Sequence, residues 1–206
     1  MNIVFRQTQL YKFLFLCEEQ ARTFELEKTI LDCGAGGNMP PLGLFSSFGY
    51  RTTGIEYSDS QIRLSRGFEE RHGVQLNIKK GDMRSLPFED ESFSFVYSFN
   101  SIFHMTKLEI DQSIAELKRV LKPNGLMLIN LLTHQDEGYG EGTKVGEDEF
   151  LQDEHGDQVV HSYHSEKELR EILSDMKMIF RENRVTEREI EGEMYRQSYC
   201  ELIVQK

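Results

Sequence analysis

Apolar positions along this chain change repeatedly from a helical spacing to short continuous runs, as expected where helices and buried strands alternate. The run Leu10 to Cys17, broken only by Lys12, predicts an opening helix over about residues 6–20 with Tyr11, Phe13 and Leu14 on its apolar stripe. Thr29 to Cys33 reads as a buried strand, and a helix is expected between residues 41 and 48. Ser58 with Gln61 predicts a capping box that opens a helix ending near Gly73, with Leu64 and Phe68 one turn apart. Thr106 with Glu109 predicts another, whose Ile110, Ile114, Leu117 and Leu121 form a core stripe before Pro123-Asn124-Gly125 stops it. Leu126 to Leu132 is then a buried strand. Ser165 with Glu168 caps a third helix with Leu169, Ile172, Leu173 and Met176 facing inward. Two long strands, about 178–189 and 194–204, turn at Glu191-Gly192. Such an order predicts an α/β fold, a mostly parallel sheet covered on both faces.

Candidate chemistry begins where the first strand ends, in Thr29-Ile30-Leu31-Asp32-Cys33-Gly34-Ala35-Gly36-Gly37-Asn38. Gly34 and Gly36 let the backbone turn sharply and approach a ligand closely. Twenty residues after Gly36, Glu56 ends Arg51-Thr52-Thr53-Gly54-Ile55-Glu56, where a carboxylate can take both hydroxyls of a ribose. A dinucleotide site wants a third glycine at position 39, where Met39 stands, followed by Pro40 and Pro41 that restrict the turn. The alternative is D-x-G-x-G. A carboxylate at its first position repels a pyrophosphate but suits the ammonium of an amino-acid-like ligand, and S-adenosylmethionine carries an amino acid at one end and a ribose at the other.

From residue 28 to 132 the chain resembles the class I S-adenosylmethionine-dependent methyltransferases, and four ordered stretches carry the resemblance. After the glycine loop come Lys80-Gly81-Asp82-Met83 with Leu86-Pro87-Phe88-Glu89-Asp90-Glu91-Ser92-Phe93, then Phe95-Val96-Tyr97-Ser98-Phe99-Asn100, then Arg119-Val120-Leu121-Lys122-Pro123-Asn124-Gly125. Asn38 in place of the third glycine of D-x-G-x-G-x-G, and Ser94 in place of a common Asp, depart from the pattern. The resemblance implies a Rossmann-like three-layer sandwich with a seven-stranded, mostly parallel sheet in the order 3-2-1-4-5-7-6, strand 7 being antiparallel. It implies Asp32, Gly34, Ala35 and Gly36 around the methionine portion of S-adenosylmethionine, Glu56 on the ribose, and Tyr57, Asp82 and Met83 at adenine. Phe99 or Asn100 would border the methyl, and S-adenosylhomocysteine would be the product. The expected reaction is in-line methyl transfer to a small-molecule acceptor, with a non-catalytic binding module and a protein or nucleic-acid methyltransferase as alternatives. Asp32, Glu56, Asp82 and Asn100 would all lie at carboxyl ends of strands, where open parallel sheets bind ligands.

His104, in Asn100-Ser101-Ile102-Phe103-His104-Met105, has the near-neutral pKa of a general base and is the catalytic candidate, its plainer role being to position a loop. Residues 135–164 occupy the place of an acceptor lid. Phe150-Leu151 and Val159-Val160 are expected to pair through Glu154-His155-Gly156-Asp157, returning His161, Tyr163 and His164 toward the active edge as acceptor-binding residues, with a merely solvated flap as the competing reading. His155, His161 and His164 with Asp153 and Asp157 match no closed zinc pattern, so no metal is expected.

Composition narrows the setting. At 206 residues, with 29% charged and 38% hydrophobic positions, one domain is expected, its residues 1–28 forming an N-terminal cap. A net charge of -11 argues against a nucleic-acid partner, since phosphates are bound by Lys and Arg. Cys17, Cys33 and Cys200 make no C-x-x-C pair, and the apolar run near the start is too short for a bilayer, which together point to the cytoplasm and to no membrane partner. Oligomeric state and the acceptor atom are left open by the sequence.

Overall fold

The computed structural model describes residue 5 and residues 7–154, 156–190 and 192–206. Five parallel strands form its centre: β1 (Thr29–Cys33), β2 (Arg51–Glu56), β3 (Ile78–Lys80), β4 (Phe93–Ser98) and β5 (Leu121–Thr133). The long C-terminal hairpin of β9 (Lys177–Ile190) and β10 (Glu193–Gln205) completes the sheet, β10 running antiparallel to β5 from Tyr199↔Leu132 to Gln205↔Leu126. The order β3-β2-β1-β4-β5-β10-β9 is the expected one, with β10 as the antiparallel strand 7 and β9 as strand 6 of 3-2-1-4-5-7-6.

The sheet has ten strands instead of seven. The additional three are a meander, β6 (Thr143–Gly146), β7 (Glu149–Glu154) and β8 (Asp157–His164). Its anchor is short: Tyr163 and His164 of β8 pair with Leu132 and Thr133. Because β10 already holds the other edge of Leu132, β8 occupies the edge of β5 that β4 leaves beyond Ser98↔Ile129.

Every residue of β1 and β4 is buried, the pattern of strands covered on both faces. On one face α1 (Thr8–Phe24) and α2 (Leu42–Ser47), with Phe68 of α3 (Asp59–His72), pack Phe13, Leu14, Phe45 and Phe68 against Ile30, Phe95, Tyr97 and Leu128. On the other, α4 (Lys107–Val120) and α5 (Glu166–Glu171) bring Ile110, Ile114, Leu117 and Leu169 against Leu31, Val96, Ile129 and Leu202. Phe13 and Leu14 are thus core residues, and the Tyr11 hydroxyl accepts from the Phe5 amide. No described helix is long and apolar enough to cross a membrane.

Local details depart from the sequence reading for identifiable reasons. The Thr106–Glu109 and Ser165–Glu168 capping boxes form, but Ser58 makes only half of one. Its hydroxyl accepts from Gln61 N–H, while its own N–H donates to Glu56 Oε1 at 2.8 Å and so leaves Gln61 nothing to return to. Leu64 is exposed, because the inward stripe of α3 is Ile62, Ser65 and Phe68. Helix α5 stops at Glu171 and the chain continues as turns, yet Leu173 is buried and Ile172 and Met176 still pack on the core. Leu121 belongs to β5, paired with Phe93, and Lys122-Pro123-Asn124-Gly125 becomes an irregularity before regular pairing resumes at Phe95↔Leu126. Arg6, His155 and Glu191, which fall in the expected first helix and the two hairpin turns, lie outside the described residues.

Candidate active site

Parallel β1, β2 and β4 end on one edge, and the glycine turn follows β1 there. Gly34 adopts a φ of 98° and Gly37 one of 97°, both in the region that favours glycine. A Cβ on Gly34 would sit 2.0 Å from Ser101 Oγ, and one on Gly36 would sit 2.6 Å from Glu56 Oε2 and 2.5 Å from Gln61 Cβ. The turn is therefore a tight cradle in which only glycine fits. Glu56 sits directly against it, accepting from Gly36 N–H at 3.0 Å as well as from Ser58 N–H. Asp32 lies 1% exposed at the end of β1, and its Oδ2 has no hydrogen-bond partner among the described residues. Burial pushes this carboxyl up to about 8, the Tyr97 hydroxyl pulling it down and the Glu56 charge adding to the rise. A buried carboxyl with an unpartnered oxygen, a glycine cradle and a second acid at the end of β2 together offer hydrogen-bond acceptors and close backbone approach to a ligand that carries an ammonium and hydroxyls.

Asp82, after β3, is held by Arg84, whose Nε lies 2.9 and 3.0 Å from the two carboxylate oxygens and whose Nη2 lies 2.6 Å from Oδ2. The guanidinium keeps the Asp82 carboxyl below its usual range, and its Nη1 also bonds Glu109 in the cap of α4. Met83 is half-buried against the core, whereas Tyr57 is 70% exposed. Beyond β4, Asn100 takes a left-handed φ of 56° and is clamped by Asn130 of β5. Asn130 Oδ1 accepts from the Asn100 N–H and its Nδ2 donates to Asn100 Oδ1, both at 2.7 Å.

Past Phe99 and Asn100 a cavity of about 680 Å³ opens, floored by Asn130 and Leu132 and walled by Phe103, His104, Tyr199 and the start of α1. The meander roofs it. Paired residues on β7 and β8 share a face, so Gln152, Glu154, His161 and Tyr163 all project into the cavity. His164 does not: strand alternation turns it to the opposite face, where it is 2% exposed near Lys107 and Glu168. Its burial, reinforced by the Lys107 charge, lowers its pKa to about 4. His104 Nε2 lies 3.7 Å from Glu154 Oε2, and the His104 and His161 rings meet edge to face at 4.9 Å. Burial lowers the His104 pKa to about 4 against the opposing Glu154 charge, and lowers that of His161 as well.

A family model described as a methyltransferase domain matches residues 31–129, from β1 to β5. A solved S-adenosylmethionine-dependent methyltransferase from Methanosarcina mazei is 26% identical, with a TM-score of 0.67 over 90% of this chain and 96% of that one. Over that domain the chain is similar to the class I S-adenosylmethionine-dependent methyltransferases. Sterol 24-C-methyltransferase from Pneumocystis carinii is 31% identical over 158 residues, which are 66% of this chain and 41% of that protein. Methyltransferase GfsG from Streptomyces halstedii is 29% identical over 102 residues, 48% of this chain and 36% of that protein. The chain thus spans less than half the length of these curated relatives.

In this chain the residues expected from sequence fall into two groups on one edge. Asp32, Gly34, Ala35, Gly36, Glu56, Asp82 and Met83 gather around the ends of β1, β2 and β3, while Phe99, Asn100, His104, His161 and Tyr163 gather at the cavity. Three contributors escaped the sequence reading. Asn130 was visible as the one amide in the apolar run Leu126 to Leu132, whereas Arg84 stands two residues from its partner Asp82 with no pattern to mark the pair, and Glu154 meets His104 from a distant segment.

Proposed function

We propose that this methyltransferase transfers a methyl group from S-adenosylmethionine to a small polar molecule held in the cavity beyond β4 and β5. S-Adenosylmethionine supplies the methyl on a sulfonium and leaves as S-adenosylhomocysteine. Asp32 and the Gly34-Ala35-Gly36 turn border the methionine end, the Gly34 and Ala35 amides themselves being held by Ile55 O. Glu56 takes the ribose hydroxyls, giving up its bond to Gly36 N–H. Asp82, oriented by Arg84, and Met83 serve adenine, with Tyr57 closing from solvent. Phe99 and Asn100 stand between the glycine cradle and the cavity, where the two reactants must meet. Methyl transfer from a sulfonium is an in-line displacement with a neutral leaving group, so alignment and exclusion of water supply much of the rate. His104 serves the acceptor end.

The observation that carries this reading is the cavity itself, of ordinary ligand size and opening beyond the carboxyl ends of β4 and β5, β4 being the neighbour of the strand that carries the glycine turn. Its lining also favours a polar acceptor. Sterol methyltransferases are among the relatives, but Asn100, His104, Asn130, Gln152, Glu154 and Arg188 line this cavity, and burying a sterol against them would strand polar groups. Calorimetric titration with S-adenosylmethionine and S-adenosylhomocysteine, with a nicotinamide dinucleotide as control, tests the first half. Binding of both adenosyl ligands near -8 kcal/mol, roughly micromolar, and none of the control is expected. Folded protein that binds neither would overturn the reading.

A further inference from the structure

We propose that His104, Glu154 and His161 form a binding site for a divalent first-row transition metal in the roof of the cavity. Three ligand atoms, His104 Nε2, His161 Nε2 and a Glu154 carboxylate oxygen, lie within 4.8 Å of one another. Both imidazole nitrogens stand 3.7 Å from Glu154 Oε2. That separation is too long for a hydrogen bond, and it is the spacing of two ligands around one ion at bond lengths of about 2.1 Å. Two imidazoles and one carboxylate suit zinc or cobalt(II), and with three protein ligands such an ion keeps a position open to the cavity.

The surroundings separate this cluster from an ordinary ion-pair network. A second group of the same kind, His134, Asp148 and Glu168, already contains its cation, because Lys107 Nζ lies 2.6 Å from Glu168 and 3.7 Å from Asp148. Among the described residues no Lys or Arg lies within 4.0 Å of the Glu154 carboxylate, and neither imidazole of the first group makes a side-chain hydrogen bond. Its parts are also fixed relative to one another. Ser162, next to His161, donates its N–H to Phe103 O at 3.1 Å and its hydroxyl to Met105 O at 2.6 Å, so the carbonyls on either side of His104 are tied to β8. The Phe103 ring stacks on His161 with centroids 6.4 Å apart. Two ligands distant in sequence are thereby held at one place before any ion arrives.

A metal here gives His104 a ligand's role in place of a base's. It also narrows the acceptor to molecules that offer an oxygen or nitrogen to the ion, and this last step rests on the methyl-transfer reading whereas the metal site does not. The test uses cobalt(II). Chelator-treated full-length protein is titrated with Co²⁺ and followed by its visible absorption, with S-adenosylhomocysteine binding measured calorimetrically on the same sample. One equivalent of cobalt with a four- or five-coordinate spectrum is expected, lost or weakened at least about tenfold in Glu154→Gln and His161→Gln and retained in His134→Gln. Glu154→Gln changes a half-exposed side chain and keeps its volume, so folding is readily verified in it. No saturable binding, or the same binding in all three variants, would overturn the site. Adenosyl binding without cobalt binding rejects the metal alone, and cobalt binding without adenosyl binding supports the metal while rejecting methyl transfer.

Discussion

Glu56 is a scaffold residue in the structure and the ribose-binding residue of the proposed function. Its carboxylate joins Gly36 N–H to Ser58 N–H and so fixes the glycine cradle to the start of α3. Replacing Glu56 with Ala removes both hydrogen bonds to the cradle and, in the proposed function, the acceptor for the ribose hydroxyls. A loss of about 1–3 kcal/mol in S-adenosylmethionine binding, roughly 5- to 150-fold, is expected for a charge-assisted pair of hydrogen bonds. Titration calorimetry measures it, and an unaltered dissociation constant removes Glu56 from the ribose. His104→Gln should collapse turnover while sparing cofactor binding, since His104 belongs to the cavity and not to the cradle; unchanged turnover on the true acceptor would exclude it from the chemistry. The glycines and Glu56 were legible because their backbone and charge requirements are local. Arg84 on Asp82 was not, because two residues of ordinary spacing carry no pattern that marks the pair, and Glu154 between two histidines was not, because His104 is brought to it by the fold.

The elements follow a similar division. Helices with a strict apolar stripe and a capping pair, above all α4, fall where the sequence puts them, since burial of Ile110, Ile114 and Leu117 and the Thr106–Glu109 box agree. Boundaries shifted where tertiary pairing overrode a local stop, as at Lys122-Pro123-Asn124-Gly125, which interrupts β5 without ending it. The expected hairpin over residues 150–160 acquired a third strand and an edge on β5 that alternation alone does not foretell. Its pairing to β5 is two residue pairs, and Ser162 is bonded to Phe103 O and Met105 O, so the buried end at residues 161–164 is fixed while residues 151–154 and 156–160, half-buried or exposed, have fewer contacts to give up on opening. Amide hydrogen exchange in residues 151–154 and 156–160 should therefore be faster than in residues 161–164 of the free protein and markedly slowed by cofactor plus acceptor. No change on adding both would leave the meander a solvated flap.

At the scale of the whole molecule, the groups that prepare the site oppose its stability, and pH exposes the conflict. Asp32 keeps a proton up to about 8 in the native state, whereas an unfolded aspartate releases it near about 4. A folded pKa above the unfolded one means that stability falls as pH rises through that interval, by at most about 1.4 kcal/mol per unit. Buried His164, with its pKa lowered to about 4, acts in the opposite sense. The unfolded chain takes up that proton near about 6.5, so stability falls as pH drops below that value, and in metal-free protein the lowered His104 and His161 add to it. The carboxylates held low by basic partners, Asp82 by Arg84 and Glu116 by Arg119, contribute stability that is lost only as pH falls through the carboxylate range. Buried Cys17 and Cys33, both raised well above their ordinary value, steepen the decline on the alkaline side where unfolded thiols ionise. Cofactor-free, chelated protein should consequently be most stable near about pH 6.5, losing stability toward pH 8 through Asp32. Asp32→Asn removes that loss: in urea titrations its stability should exceed that of the unaltered protein by about 1–3 kcal/mol at pH 8 and by much less at pH 5. The same variant should bind S-adenosylmethionine more weakly, because the proposed function sets the carboxyl that destabilises the empty fold against the ligand's ammonium. A variant that gains stability equally at both pH values would show that Asp32 is not the buried acid responsible, and one that gains it without losing affinity would separate Asp32 from the methionine end of the site.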